Sequence, residues 1–317
     1  MVWLQVAGGF VLLLVGGEVL VRGAVGTARR LGVSPLVIGL TLVGFGTSTP
    51  ELVTSIQAAL IGSPGIAVGN VVGSNIANIL LILGVAAVIA PIACDPAAFR
   101  RDGSVLALSA VIGGALILWG EIGRLAGAVL IALLLVYTIG TLVRERRRPD
   151  AAAKVYEEEA DFVDGKEVSL PASLALAAVG IAGTILGAKL LVDGAVTTAR
   201  TLGVAEEVIG LTLVAVGTSL PELATSVVAA LRRQADVAFG NVIGSNIYNI
   251  LFILGATSLV EPLAVPARIA AADLWVMLGA TALLAVFATT GRRIVRWEGA
   301  VFLALYAGYI GWLAAGV

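Results

Sequence analysis

Long apolar runs alternate along this chain with short turns that carry charge, Gly or Pro. Most runs are about 17 to 27 residues, enough for a helix to cross roughly 30 Å of hydrocarbon. Ten spans are predicted, near 3–28, 36–61, 66–90, 104–120, 124–143, 170–198, 206–231, 237–260, 270–289 and 298–316. The first has no basic lead-in and no small-residue cleavage site, so it is expected to remain as an anchor. The pattern therefore predicts an all-α integral membrane protein of ten transmembrane helices. Composition agrees: 59% of the 317 residues are hydrophobic and 13% charged, far from the balance of soluble domains.

Within this pattern residues 23–84 recur without a gap at 194–255, with about two thirds of the positions identical. The offset, 222 − 51, is 171 residues, and it holds for Gly46-Thr47-Ser48-Thr49-Pro50-Glu51 against Gly217-Thr218-Ser219-Leu220-Pro221-Glu222. It holds equally for Gly73-Ser74-Asn75-Ile76-Ala77-Asn78 against Gly244-Ser245-Asn246-Ile247-Tyr248-Asn249. Five spans separate the helix of Glu51 from that of Glu222, so the second copy is expected to thread the membrane in the opposite sense. The reading is two inverted five-helix repeats, 1–143 and 170–317, joined by a polar connector at 144–169. Inverted repeats are a signature of secondary transporters that bind their substrate at mid-depth, where the copies meet.

Charge orients the spans. If the N-terminus is outside, fifteen basic residues, among them Arg100, Arg101, Arg146, Arg232 and Arg293, fall on one side, and only Arg124, Arg200 and Arg268 fall on the other. Both termini are expected outside and the basic loops in the cytoplasm. The connector, with Arg144-Glu145-Arg146-Arg147-Arg148 and Glu157-Glu158-Glu159, reads as a solvated cytoplasmic segment rather than a cation sensor.

A carboxylate in mid-membrane costs about 2.5–3.5 kcal/mol on insertion scales unless protein, water or a cation faces it. Glu51 and Glu222 are expected near one another at the bilayer centre, and two facing carboxylates make sense only if something positive visits them. Thr47, Ser48 and Ser55 share a helix side with Glu51, as Thr218, Ser219 and Ser226 do with Glu222. Pro50 and Pro221 each remove an N–H and should bend their helices, freeing carbonyls near residues 46–47 and 217–218. On the next helix Asn70, Ser74 and Asn78 form a stripe spaced by four, copied by Asn241, Ser245 and Asn249. Gly69 and Gly73, like Gly240 and Gly244, should let a neighbouring backbone approach. The sum is a hard, all-oxygen environment that suits calcium or sodium.

The chain has no histidine and one cysteine, Cys94. Imidazole or thiolate metal sites, a disulfide and His-dependent intramembrane proteolysis are therefore not expected. Gly-rich nucleotide loops are missing too, and no enzyme, cofactor, nucleic-acid partner or obligate protein partner is expected.

The paired Gly-Thr-Ser-x-Pro-Glu and Gly-Asn-Val-x-Gly-Ser-Asn-Ile-x-Asn segments resemble the two alpha-repeats of the calcium/cation antiporter superfamily, in particular its prokaryotic sodium/calcium exchangers. The resemblance implies a calcium/sodium antiporter with Glu51 and Glu222 as central ligands and backbone carbonyls from Thr47 and Thr218. It implies flanking sodium sites at Ser48, Ser219, Ser74 and Ser245 with carbonyls of Gly44 and Ala215, and Asn78 and Asn249 lining the middle. It also implies that the first and sixth helices slide over a fixed core. Some relatives carry Asp where Asn249 stands, which leaves two acidic groups here, matching one calcium, two sodium ions or two protons. The partners are calcium, sodium and the lipid bilayer, and Ala, Gly and Arg usage fits a bacterial plasma membrane.

Proton/calcium antiport is the alternative, and a carboxylate-lined cation channel stands further off because one inverted pair offers a single midplane site. Among the remaining charges, an i,i+4 ion pair or snorkelling accounts for Glu18, Lys189 and Asp193. Arg29 and Arg200 read as interfacial anchors, and Asn75 and Asn246 as cross-helix hydrogen bonders.

Overall fold

The computed structural model describes residues 2–30, 48–147, 169–231 and 235–315. In chain order, α1 (Val2–Arg30) and α2 (Thr49–Leu60) are followed by α3, which runs from Pro64 to Ala77 and continues through a π-helical Asn78–Leu83 and Gly84–Ile89. Strand β1 (Ile92–Ala93), α4 (Pro96–Trp119), strand β2 (Glu121–Ile122) and α5 (Arg124–Arg147) complete the first half. The second half opens with α6 (Leu170–Leu202), α7 (Glu206–Thr218) and α8 (Leu220–Leu231). It continues with α9, which runs from Ala235 to Tyr248 and on through a π-helical Asn249–Leu254 and Gly255–Val260. Strand β3 (Leu263–Ala264), α10 (Ile269–Thr290), strand β4 (Arg293–Ile294) and α11 (Arg296–Ala315) close the chain.

Among the described residues eight helices are long and apolar enough to cross a membrane, and the bent pair α7–α8 makes a ninth. Of the expected span 36–61 only the portion from Ser48 onward is described, and there it is helical. Most of the connector and the basic residues Arg148, Lys154, Lys166, Arg232 and Arg233 lie outside the described residues.

The core consists of α3 and α9, whose spanning stretches are buried far more completely than those of the outer helices. Around them the two halves of the chain exchange contacts. Strand β1 pairs with β4 (Ile92 opposite Ile294) and β2 with β3 (Ile122 opposite Leu263). Arg124, at the start of α5, donates to the Leu259 and Val260 carbonyls at 3.2 Å, and Arg296, at the start of α11, donates to the Ile89 carbonyl at 3.3 Å. Each arginine thus satisfies the exposed carbonyl end of a core helix from the other half.

Helices α1 and α6 lie against each other along much of their length, and glycine makes this possible. Gly9, Gly16 and Gly23 recur every seven residues, as do Gly180, Gly187 and Gly194. A methyl group at Gly23 would lie 2.3 Å from the Ala177 nitrogen, and one at Gly180 2.3 Å from the Leu20 nitrogen. Backbone therefore rests on backbone, the usual means of joining helices in lipid.

The remaining membrane charges divide between the two expected kinds. The i,i+4 pair is on α1, where Arg22 Nε meets Glu18 Oε1 at 2.7 Å. Among the described residues Lys189 and Asp193 form no ion pair, and Lys189 is exposed, so snorkelling accounts for it.

Candidate functional site

The polar groups converge where α2 and α8 begin. Ser48 and Ser219 immediately precede these helices with nearly the same non-helical backbone, φ −85° and ψ 7° against φ −84° and ψ 10°. Pro50 and Pro221 follow, and across Ser219 the axes of α7 and α8 turn by 47°. The bend expected from Pro221 is therefore present; the segment before Ser48 lies outside the described residues. Such a break turns the carbonyl end of α7 toward the N–H end of α8. Glu51 and Glu222 each occupy the first turn of their helix, where the helix dipole favours a negative charge.

Both glutamates are buried, 2% and 1% exposed, although each carries a charge-bearing group into the span. Each is held by the serine that precedes the other. Ser219 Oγ donates to Glu51 Oε1 at 3.0 Å, and Ser48 Oγ donates to Glu222 Oε1 at 3.5 Å. The two carboxyl groups are within electrostatic range of one another. Ser74 Oγ lies 3.2 Å from Ser219 Oγ, which extends the network to α3.

Asn70 and Asn241 hold the glutamate backbones. Asn70 Nδ2 donates to the Glu51 carbonyl (3.2 Å) and to Ser55 Oγ (3.0 Å), and Asn241 Nδ2 does the same to the Glu222 carbonyl (3.5 Å) and Ser226 Oγ (3.2 Å). Thr218 Oγ1 lies 3.1 Å from Asn70 Oδ1 and 3.1 Å from the Val214 carbonyl of its own helix, two acceptors for one hydroxyl proton. The Ala215 carbonyl accepts the Ser219 N–H at 3.1 Å.

Toward the middle, Asn78 Nδ2 donates to Asn246 Oδ1 at 3.1 Å, so Asn246 does bond across helices. Asn75 does not: its Nδ2 returns to the Val71 carbonyl of its own helix at 2.7 Å. Asn78 and Asn249 each open a π-helical turn, at equivalent positions of α3 and α9. A π-turn widens the helix and re-aims its side chains, and such turns gather at functional sites. Nothing in hydropathy or spacing announces it; only the repeated Asn-Ile-Leu-x-Ile-Leu-Gly could have drawn attention there. Ser245 and Asn249 are buried nearby, whereas Thr47 and Gly44 lie outside the described residues.

The close approach expected at Gly69 and Gly73 is present, since methyl groups there would lie 2.8 Å from the Glu207 carbonyl oxygen and 2.6 Å from that of Leu211. It brings α7 onto α3. For the second copy, Gly244 meets no atom within 4 Å among the described residues. The segment equivalent to the start of α7 lies outside the described residues.

Three features of the network bear on what it can hold. Glu51 Oε2 and Asn78 Oδ1 are buried oxygen acceptors with no hydrogen-bond donor among the described residues. Leaving such groups unmatched is costly. No cluster of three or more His, Cys, Asp or Glu side chains exists among the described residues, so the polar atoms here are two carboxylates surrounded by neutral oxygens and amides.

The sodium/calcium exchanger protein family matches residues 1–143 and 172–315. The sodium/calcium exchanger MaX1 of Methanosarcina acetivorans is 36% identical over 333 residues, 95% of this chain and 95% of that protein. The inner membrane protein YrbG of Escherichia coli is 33% identical over 96% of this chain and 94% of its own length. Among solved structures, the sodium-calcium exchanger NCX_Mj soaked with 2.5 mM Na+ and 0.1 mM Ca2+ superposes with a TM-score of 0.65 at 36% identity, covering 97% of this chain and 96% of that one. With a family match over most of its length and relatives aligned nearly end to end, this multi-pass chain belongs to the sodium/calcium exchanger family, a family of transporters and not of enzymes.

Proposed function

We propose that this protein exchanges calcium for sodium across a bacterial inner membrane at a midplane site built on Glu51 and Glu222. The observation that carries the reading is the reciprocal hydrogen bonding of the two buried glutamates by Ser219 and Ser48. It supports a single buried pocket shared by two carboxylates, one from each half. The orphaned Glu51 Oε2 and Asn78 Oδ1 are acceptors without donors, the condition that a bound cation relieves. MaX1 and NCX_Mj, both called sodium/calcium exchangers, support the choice of ions.

In this reading the chain comprises ten spans in two inverted repeats, 1–143 and 170–317, with both termini outside. Thr47 and Thr218 lend carbonyls to the central ion. Ser48, Ser74, Ser219 and Ser245, with the carbonyls of Gly44 and Ala215, serve flanking sodium ions, and Asn78 and Asn249 line the middle. Two carboxylates balance one calcium or two sodium ions. The emptied, doubly negative pocket disfavours reorientation, which couples the two fluxes. Helices α1 and α6, joined backbone to backbone, move as one body over the core and open the site to alternate sides. Proton coupling remains the second reading, because two carboxylates and an Asn at 249 are also neutralised by two protons.

The test is calcium uptake into proteoliposomes with the membrane potential clamped and a sodium, potassium or pH gradient imposed one at a time. Wild-type protein is expected to take up calcium only against outward-directed sodium, and Glu51→Gln or Glu222→Gln to abolish uptake while the protein stays folded. Normal flux in both variants refutes the site, and uptake driven by the pH gradient alone replaces sodium by protons.

A further inference from the structure

A second carboxylate pair, on helices other than those of the central glutamates, recurs at the same offset. Asp102 on α4 and Asp273 on α10 are 273 − 102 = 171 residues apart. Each accepts a hydrogen bond from a tyrosine on the last helix of its half, Tyr137 to Asp102 at 3.1 Å and Tyr309 to Asp273 at 2.8 Å. The two copies then diverge. Arg101 grips Asp102 with both guanidinium arms, Nε to Oδ1 and Nη2 to Oδ2, each at 2.8 Å, and the aspartate side chain keeps 14% of its surface exposed. At the equivalent position the second half has Ala272. Asp273 is fully buried, and its Oδ2 has no hydrogen-bond partner among the described residues.

The surroundings of Asp273 supply no replacement for that arginine. Arg268 and Glu207 are within electrostatic reach with opposite signs, and neither forms an ion pair with it. Helix α3, which packs against this turn, has no titratable residue between Pro64 and Ala77. The part of α4 that meets α10, at Gly114, faces Leu274 and Leu278. On α11, Tyr309 is the donor, and Tyr306, one turn away, is buried with an unpartnered hydroxyl. A metal ion needs about six to eight oxygens, and a single carboxylate with phenol neighbours does not offer them. A proton needs one.

We propose that Asp273 is a proton-binding site, distinct from the ion centre, at which the folded protein carries a neutral carboxylic acid accepting from Tyr309. The loss of Arg101's counterpart is what converts an ion-paired aspartate into a protonated one. At this site the carboxylic acid releases H+ to give a carboxylate, and among the described residues neither an ion pair nor a second hydrogen bond is there to hold it, so raising the pH destabilises the folded protein.

The experiment is infrared spectroscopy of the reconstituted protein in saturating calcium, which keeps the central glutamates occupied. The wild type is expected to show the deuterium-sensitive carbonyl band of a neutral carboxylic acid at neutral pH, fading as pH rises and missing from Asp273→Asn. Ala272→Arg, which rebuilds the partner seen at Asp102, is expected to remove the same band at neutral pH, and this holds the test open if Asp273→Asn does not fold. Thermal stability is expected to fall with rising pH more steeply in the wild type than in Asp273→Asn. A wild type whose neutral-acid band is unchanged by either substitution, with carboxylate absorption lost from Asp273→Asn instead, overturns the proposal.

Discussion

The glycine seam between α1 and α6 makes a sharp prediction at Gly23. A Cβ there would sit 2.3 Å from the Ala177 nitrogen, 2.7 Å from the Ser173 oxygen and 2.8 Å from the Ala177 Cα, all of them backbone atoms that no rotamer can move aside. Comfortable carbon contacts lie at about 3.5–4.0 Å, so Gly23→Ala must push the helices apart by about 1 Å. Overpacking of this kind costs about 1–3 kcal/mol, against which alanine returns about 0.8–1.0 kcal/mol of helix propensity. The expected result is a net loss of up to about 2 kcal/mol, read as a lower thermal midpoint of the purified protein in detergent. Gly8→Ala is the control, because a methyl group there meets nothing within 4 Å, and it should be neutral or slightly stabilising. Gly9→Ala strains the same seam, 2.6 Å from the Leu191 nitrogen. The double variant Gly9→Ala/Gly23→Ala should therefore cost less than the sum of its parts, since parting the helices once relieves both clashes. If Gly23→Ala proves as stable as Gly8→Ala, the backbone-to-backbone contact is wrong.

Three other outcomes are expected. Ser219→Ala removes a 3.0 Å hydrogen bond to Glu51 and should weaken calcium binding by about tenfold or more, given about 1.5–3 kcal/mol for a bond to a charged group; Ser48→Ala, whose bond is 3.5 Å, should weaken it less, and radiolabelled calcium binding compares them. Asn70→Ala removes the bonds to the Ser55 hydroxyl and the Glu51 carbonyl and one of the acceptors within reach of Thr218 and should cost about 1–3 kcal/mol; a thermal midpoint equal to the wild type would show that the brace carries no energy. Cys94, between spans, is buried, and burial pushes its thiol up to about 12. The thiolate is therefore scarce at neutral pH, and maleimide labelling at that pH should be slow in the native protein and become complete on unfolding.

The duplicated polar segments, the apolar runs and the two glutamates were legible without coordinates, because hydropathy and a repeat offset are properties of the chain itself. The limits of that reading show at single residues. Asn70 and Asn241 stand in the same stripe as Ser74 and Ser245, yet their amides brace the backbones of Glu51 and Glu222. Asn75 and Asn246 look equivalent in sequence, but one bonds within its helix and the other across to Asn78. Asp102 and Asp273 keep the repeat offset, but nothing local marks them, because their tyrosine partners lie 35 and 36 residues away on other helices.

Sequence by itself determined that this chain lies in a bilayer, that its polar segments are duplicated and that each copy carries a glutamate within an apolar run; each follows from local chemistry counted along one dimension. Only the tertiary structure decided that each glutamate is held by the serine of the opposite copy, 168 and 174 residues away, that arginines of one half close the helix ends of the other, and that Asp273 lacks the cation Asp102 keeps. Those facts depend on which helices meet and at what height, and a side chain's partner across a helix boundary is set by packing, which no periodicity in the chain encodes.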